Sequence, residues 1–231
     1  DAIGELNRYI RYPSNFDKIW SNLEKLSVAE GNFRMWLATT FNIYNIWVLP
    51  EIMEYYIVNS LPRVNDDDFK PIMTPHPLHG PQFLNIRSLP KVVKDLVAQK
   101  FQDQIPHLYN VIDGTKFKDK RKEAMKKQAK QIIDTYTDFM YAKDFSHLSY
   151  KFWEHTNRLD KIRGHYFKDF CPDMYEMLKE HHINPLVILR SFSKAARLSR
   201  YKYDDILCDL DNYEQLSKSL EGIDICFNCA H

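Results

Sequence analysis

Cys226 and Cys229 stand either side of two residues, with His231 just beyond, and this spacing suits zinc or an iron–sulfur cluster. One reading is an auxiliary cluster or a zinc clip. The favoured one is a pair of half-buried thiols on a closing strand over Ile223 to Phe227, because a metal site needs a complete ligand set. Cys171 and Cys208 are isolated, and a chain of this size needs no disulfide framework. His76 and His79 lie in the run Pro75-His76-Pro77-Leu78-His79-Gly80-Pro81, where three prolines and a glycine pin an extended loop after a strand. Imidazoles there either face a substrate and exchange protons near neutral pH or bond loop carbonyls. The acidic run Asn65 to Asp68 is read as a solvated loop, since adjacent carboxylates do not make an oxygen cage. The basic run KDKRKEAMKKQAK, from Lys118 to Lys130, offers charge to nucleic acid or to an anionic peptide tail. A solvated helix face is favoured there, because Asp119, Glu123 and acids elsewhere cancel most of the field.

These groups hang on elements that follow from apolar spacing. Ala2 to Pro13 reads as a loop leaving the C-terminal end of a strand, so the chain is expected to begin in mid-fold. Ser14 is the expected N-cap of a helix whose stripe is Phe16, Ile19, Trp20, Leu23 and Leu26. Phe33 to Phe41 suits a buried strand, Leu49 to Leu61 a helix with Pro50 in its first turn, and Phe69 to Thr74 a second strand. Helix, buried strand and helix in succession are the grammar of a parallel sheet. After Pro90 the pattern turns helical, over Lys91 to Phe101, Phe117 to Tyr141, Ser146 to Leu159 and Asp173 to Lys179, with a turn at Gly164.

The pattern DAIGELNRYIRYPS, the turn NIYN at Asn42 to Asn45, and the segments PHPLHGPQFLNIRSLPK and RLDKIRG resemble the C-terminal half of radical S-adenosylmethionine enzymes of the twitch-domain type. The resemblance covers roughly residues 1 to 180. The defining Cys-x3-Cys-x2-Cys loop, which ligates a four-iron four-sulfur cluster, is absent from this sequence. The resemblance implies an incomplete βα barrel over 1–90, a helical region over 91–181 that covers it, and a cofactor site for S-adenosylmethionine. In such enzymes the cluster reduces the sulfonium and a deoxyadenosyl radical then takes a hydrogen atom from substrate. By resemblance, Asp1, Glu5 and Arg11 face the methionine end of the cofactor, with the Arg11 guanidinium suited to its carboxylate. Asn42 and Asn45 match an asparagine pair that bonds ribose or adenine. The alternatives are a surface ion pair for Arg11 and a strand-to-helix turn shaped by the two asparagines.

Residues 182–231 fit a different pattern. Asn184 to Ala195 looks like the strand-loop of class I and II pyridoxal-phosphate aminotransferases, which would make Lys194 the Schiff-base lysine, with Ser191 and Ser193 just before it. Lys202 and Asp204 stand where that family has arginine and glycine, and an orphaned or coincidental segment is the favoured reading. A helix over Asp211 to Leu220 and the closing strand complete a mixed tail.

Composition bounds the rest. The 231 residues are 44% hydrophobic and 14% aromatic, with six glycines, which suits a folded core. A net charge of +1, from 32 basic and 31 acidic residues, gives no general argument for nucleic acid or anionic membrane. No apolar run approaches the ~20 residues that span a bilayer, and a cytoplasmic location is the default. The fold class expected is thus α/β: a partial radical enzyme barrel with parallel strands, a mainly helical region and a short mixed tail. The function expected is the wall of a radical enzyme facing cofactor and a peptide or small-molecule substrate. It would be inactive alone, its cluster half lying upstream or on a separate chain. The alternatives are a non-catalytic interaction module using its open sheet edge or lysine-rich helix, and a remnant of a pyridoxal-phosphate transferase.

Overall fold

A computed structural model describes residues 1–181 in full, together with the backbone of Leu186–Leu189 and Asp204–Leu207. The chain divides into two compact units, Asp1–His181 and His182–His231.

The first unit opens on a short helix, α1 (Gly4–Ile10), where a loop was expected. The chain enters it at Gly4 with φ +52°, a left-handed turn that glycine adopts without penalty. Helix α2 (Phe16–Ser27) is capped by Asn15, whose side chain accepts from the Lys18 N–H at 2.8 Å. Ser14, the expected cap, instead takes the Asn7 amide at 3.0 Å. Trp20 is buried and Phe16 and Leu23 pack on the core, but Ile19 and Leu26 are exposed, so the buried stripe is narrower than expected.

The expected nine-residue strand is broken. Met35 forms an isolated parallel bridge with Val64, and only Ala38–Phe41 continues as β1. Between them Asn65 intervenes, its side chain accepting from the Leu37 N–H at 2.9 Å and donating to the Lys70 carbonyl at 2.9 Å. Helix α3 (Leu49–Val58) starts with Pro50 in its first turn, as the sequence implied. Strand β2 (Thr74–Pro77) begins where the expected strand ends and runs parallel to β1, with Ala38 opposite Thr74 and Phe41 opposite Pro77.

The prolines of β2 fall in register with the ladder. Thr74 and Leu78 donate their N–H groups to Leu37 and Phe41 at 2.8 and 2.9 Å, so alternate nitrogens point at β1. Pro75 and Pro77 occupy the other phase, where the missing N–H closes the far edge of β2 to a further strand. On the other side, the outward Thr40 N–H of β1 is taken by the Asp1 carboxylate and its carbonyl by the Asn45 amide.

Helices α4 (Lys91–Asp113) and α5 (Asp119–Tyr141) pack together, and both bury apolar stripes that include Val97, Phe101, Ile133 and Met140. α4 runs past the expected end at Phe101 and carries Pro106 in its interior. Gln128 of α5 reaches the sheet layer, taking the Ile72 N–H and donating to the Met73 carbonyl, each at 2.8 Å. The acidic loop is tied to the basic run of α5: Asp66 pairs with Arg121 at 2.8 Å and Asp68 with Lys120. Both runs, read separately as solvated, neutralise each other in part.

Helix α6 (Ser149–Arg163) ends at Gly164 with φ +65°, and α7 (Phe167–Phe170) and α8 (Pro172–Glu180) follow. Residues 1–90 and 91–181 contribute to one hydrophobic core. The unit is therefore mainly helical α/β with a two-strand parallel sheet, and the partial barrel expected over 1–90 is reduced to that pair, not closed. In the second unit, β3 (Leu186–Leu189) lies parallel to β4 (Asp204–Leu207), Leu186 opposite Asp204. The expected helix over Asp211 to Leu220 and strand over Ile223 to Phe227 lie outside the described residues. No helix among the described residues is long and apolar enough to cross a membrane.

Candidate functional site

A cleft of about 240 Å³ opens at the carboxyl ends of β1 and β2. Parallel α/β sheets place ligands there because the strand ends and following loops leave a crevice rich in free polar groups. Asp1 and Arg11 line it from either end of α1, Thr40 and Asn42 from the end of β1, and Leu78 from the end of β2. Tyr9 and Tyr44 form its inner wall, and His155, Leu159 and Arg163 of α6 close it from the opposite side.

The Asp1 carboxylate is the hinge of the strand side. One oxygen accepts from the Thr40 N–H at 3.1 Å and the other from Arg11 Nε. Its side chain is 7% exposed while that of Arg11 is 59% exposed, so the guanidinium projects past its partner, and its two terminal nitrogens make no hydrogen bond among the described residues. Asn45 lies beneath, fully buried, and donates to the carbonyls of Asp1 and Thr40 while accepting from the Asn42 N–H at 2.7 Å. Asn42 accepts from the Tyr44 N–H at 2.9 Å, and its amide nitrogen makes no hydrogen bond among the described residues. Asn45 thus shapes the turn after β1, whereas Asn42 both shapes it and keeps a donor at the cleft.

The helical side is built on Tyr9. Its hydroxyl donates to Asp160 at 2.7 Å, and its ring meets Tyr44 edge-on at 5.5 Å. Tyr44 exchanges a hydrogen bond with Thr156 at 2.8 Å. Burial pushes both phenols far above their ordinary range, so both stay protonated. Arg163 donates to the Tyr9 carbonyl at 2.9 Å and its guanidinium lies 5.3 Å from the centre of the Tyr12 ring. His155 packs on Phe83 at 5.2 Å, and burial, with Arg163 and Arg158 adding to it, holds its pKa below the usual histidine value.

Of the residues singled out in the sequence, Asp1, Arg11 and Asn42 therefore meet in one cleft, with Asn45 bracing them. Glu5 does not join them. It pairs with Arg8 at 3.3 Å and lines a separate cleft of about 270 Å³ between α1 and the start of α2, whose charged groups include that pair and Asp17. His76 and His79 are both exposed and line neither cleft, and His79 sits edge-on to Phe139 at 5.7 Å. Tyr9, Tyr44, His155 and Arg163 were not singled out. Arg163 sits in the RLDKIRG segment, but nothing in its spacing tells which charge of that segment turns inward.

No group of three or more histidine, cysteine or acidic side chains among the described residues could hold a metal. Cys171 is buried, and burial pushes its thiol up to about 11, the opposite of what a cluster ligand needs. A four-iron four-sulfur cluster therefore does not fit the described residues. Cys226, Cys229 and Lys194 lie outside the described residues. No family model, curated protein or solved structure matches this chain.

Proposed function

We propose that residues 1–181 form the cofactor- and substrate-facing wall of a radical S-adenosylmethionine enzyme. The observation that carries this reading is the convergence of Asp1, Arg11 and Asn42 on one cleft at the carboxyl ends of two parallel strands. The two free terminal nitrogens of Arg11 offer a fork to the methionyl carboxylate, Asp1 sets the angle of that fork, and the Asn42 amide offers a donor to the nucleoside. When bound, S-adenosylmethionine supplies hydrogen-atom abstraction through cleavage of its sulfonium. The protein's part is to orient it and to exclude water, for which the apolar sides of Leu78, Leu84 and Leu159 serve. The cluster comes, on this reading, from outside residues 1–181, either on the same polypeptide or on a separate chain.

The test is anaerobic reconstitution, with iron and sulfide, of the polypeptide encoded by the whole reading frame, alone and with any neighbouring three-cysteine protein. Reduction with dithionite then releases deoxyadenosine from S-adenosylmethionine, measured by chromatography. A reading frame and neighbourhood that yield no deoxyadenosine sink the proposal.

A further inference from the structure

Arg163 makes no ion pair among the described residues, although it stands at a cleft that already holds a second arginine. Asp160, three residues before it on α6, forms no ion pair with it; one carboxylate oxygen takes the Tyr9 hydroxyl at 2.7 Å and the other the Phe167 N–H at 3.1 Å. Its guanidinium is held by the Tyr9 carbonyl and the Tyr12 ring, which leave further N–H donors without an acceptor among the described residues. Asp1, a carboxylate on the far wall, is taken by Arg11 and the Thr40 N–H. Arg163 therefore presents N–H donors to the cleft that no described side chain takes up, beside the Tyr9 and Tyr44 phenols and the His155 imidazole.

We infer that this cleft binds a small ligand through a carboxylate or phosphate group set against Arg163, at a subsite separate from the one assigned to Arg11. An oxyanion there completes the fork of a pre-oriented guanidinium, and a space of about 240 Å³ admits a small molecule and not a folded partner. The subsite stands on the pairing pattern of Arg163 and does not depend on the cofactor reading.

The reporter is His155, which lies at the same cleft and feels Arg163 and Arg158. In the full chain with isotope-labelled histidine, inorganic phosphate and acetate are titrated separately at constant ionic strength, and the His155 ring signals are followed by NMR. The expected result is a saturable shift, with a rise of the His155 pKa toward its ordinary value as the anion offsets Arg163. Phosphate acting at lower concentration assigns a phosphorylated ligand, and acetate acting at equal or lower concentration assigns a carboxylate. Arg163→Gln abolishes the shift, Arg163→Lys keeps it about tenfold weaker, and Arg11→Ala leaves it intact. Leu159→Trp, which fills the cleft with Arg163 in place, abolishes it too and serves if Arg163→Gln does not fold. No saturable shift in the unaltered chain, an unchanged shift in Arg163→Gln, or its loss in Arg11→Ala overturns the inference. Loss in Arg11→Ala alone would leave the cofactor reading standing, so the two failures are distinguishable.

Discussion

The Tyr9 hydroxyl donates to Asp160 Oδ1 at 2.7 Å across 151 residues of sequence, joining the first helix to the helix that closes the cleft. Both groups are buried, Tyr9 stacks on Phe170 at 5.2 Å, and the second Asp160 oxygen fixes the start of α7. With the Arg163 bond to the Tyr9 carbonyl and the Tyr44–Thr156 pair, this contact ties the two walls of the cleft together.

Tyr9→Phe removes the hydroxyl and leaves part of a buried carboxylate unpaired. A buried charged group that loses a hydrogen-bond partner costs about 1–3 kcal/mol. Urea unfolding of the variant is expected to show a loss of that size with an unchanged slope, and no loss would show that the Tyr9 hydroxyl contributes nothing to holding the walls.

Tyr136 gives the opposite expectation. It is 2% exposed, its ring meets Phe41 at 5.2 Å, and its hydroxyl has no hydrogen-bond partner among the described residues. Tyr136→Phe keeps the ring and removes the orphaned group, which should stabilise the fold by about 1 kcal/mol. A destabilised variant in the same urea assay would reveal a partner for that oxygen.

Alkaline pH acts on the same set of rings. Burial raises the pKa of Tyr9, Tyr44 and Tyr136 above their ordinary value near 10.0. Below that value folded and unfolded chains are equally protonated at these groups, and their stabilisation is fully present. Above it the unfolded chain sheds phenolic protons that the folded chain keeps, so stability falls by about 1.4 kcal/mol per pH unit for each such tyrosine. Thermal melts between pH 9 and 11.5 should therefore drop steeply, and less steeply in Tyr136→Phe. A flat profile there would mean that water reaches these rings.

Much of this architecture was legible in the sequence and some was not, for definite reasons. Pro50 marked the start of α3 and the apolar stripe of α5 marked its buried face, because these are local signals. The strand over Phe33 to Phe41 was overread, since β propensity cannot register that Asn65 breaks the ladder from 28 residues away. Helix α1 was missed because its signal is short: Leu6 and Tyr9 are its buried apolar side chains, beside a buried asparagine. α4 was read only to Phe101, the last residue of the apolar stripe followed, whereas the helix continues through Pro106 to Asp113 and packs on α5. At the cleft, Asp1, Arg11 and Asn42 were found through a sequence pattern, whereas Arg163 and His155 come from α6, and only the folded chain brings α6 to the strand ends.

The cofactor assignment rests on Arg11. In the reconstituted enzyme, deoxyadenosine release is measured against S-adenosylmethionine concentration for the unaltered protein, Arg11→Lys and Arg11→Ala. Loss of a charge-assisted fork costs about 1.5–3 kcal/mol, so KM in Arg11→Ala is expected to rise about 10- to 100-fold with kcat little changed, and Arg11→Lys should fall between. An unaltered KM in a folded Arg11→Ala enzyme would contradict the account.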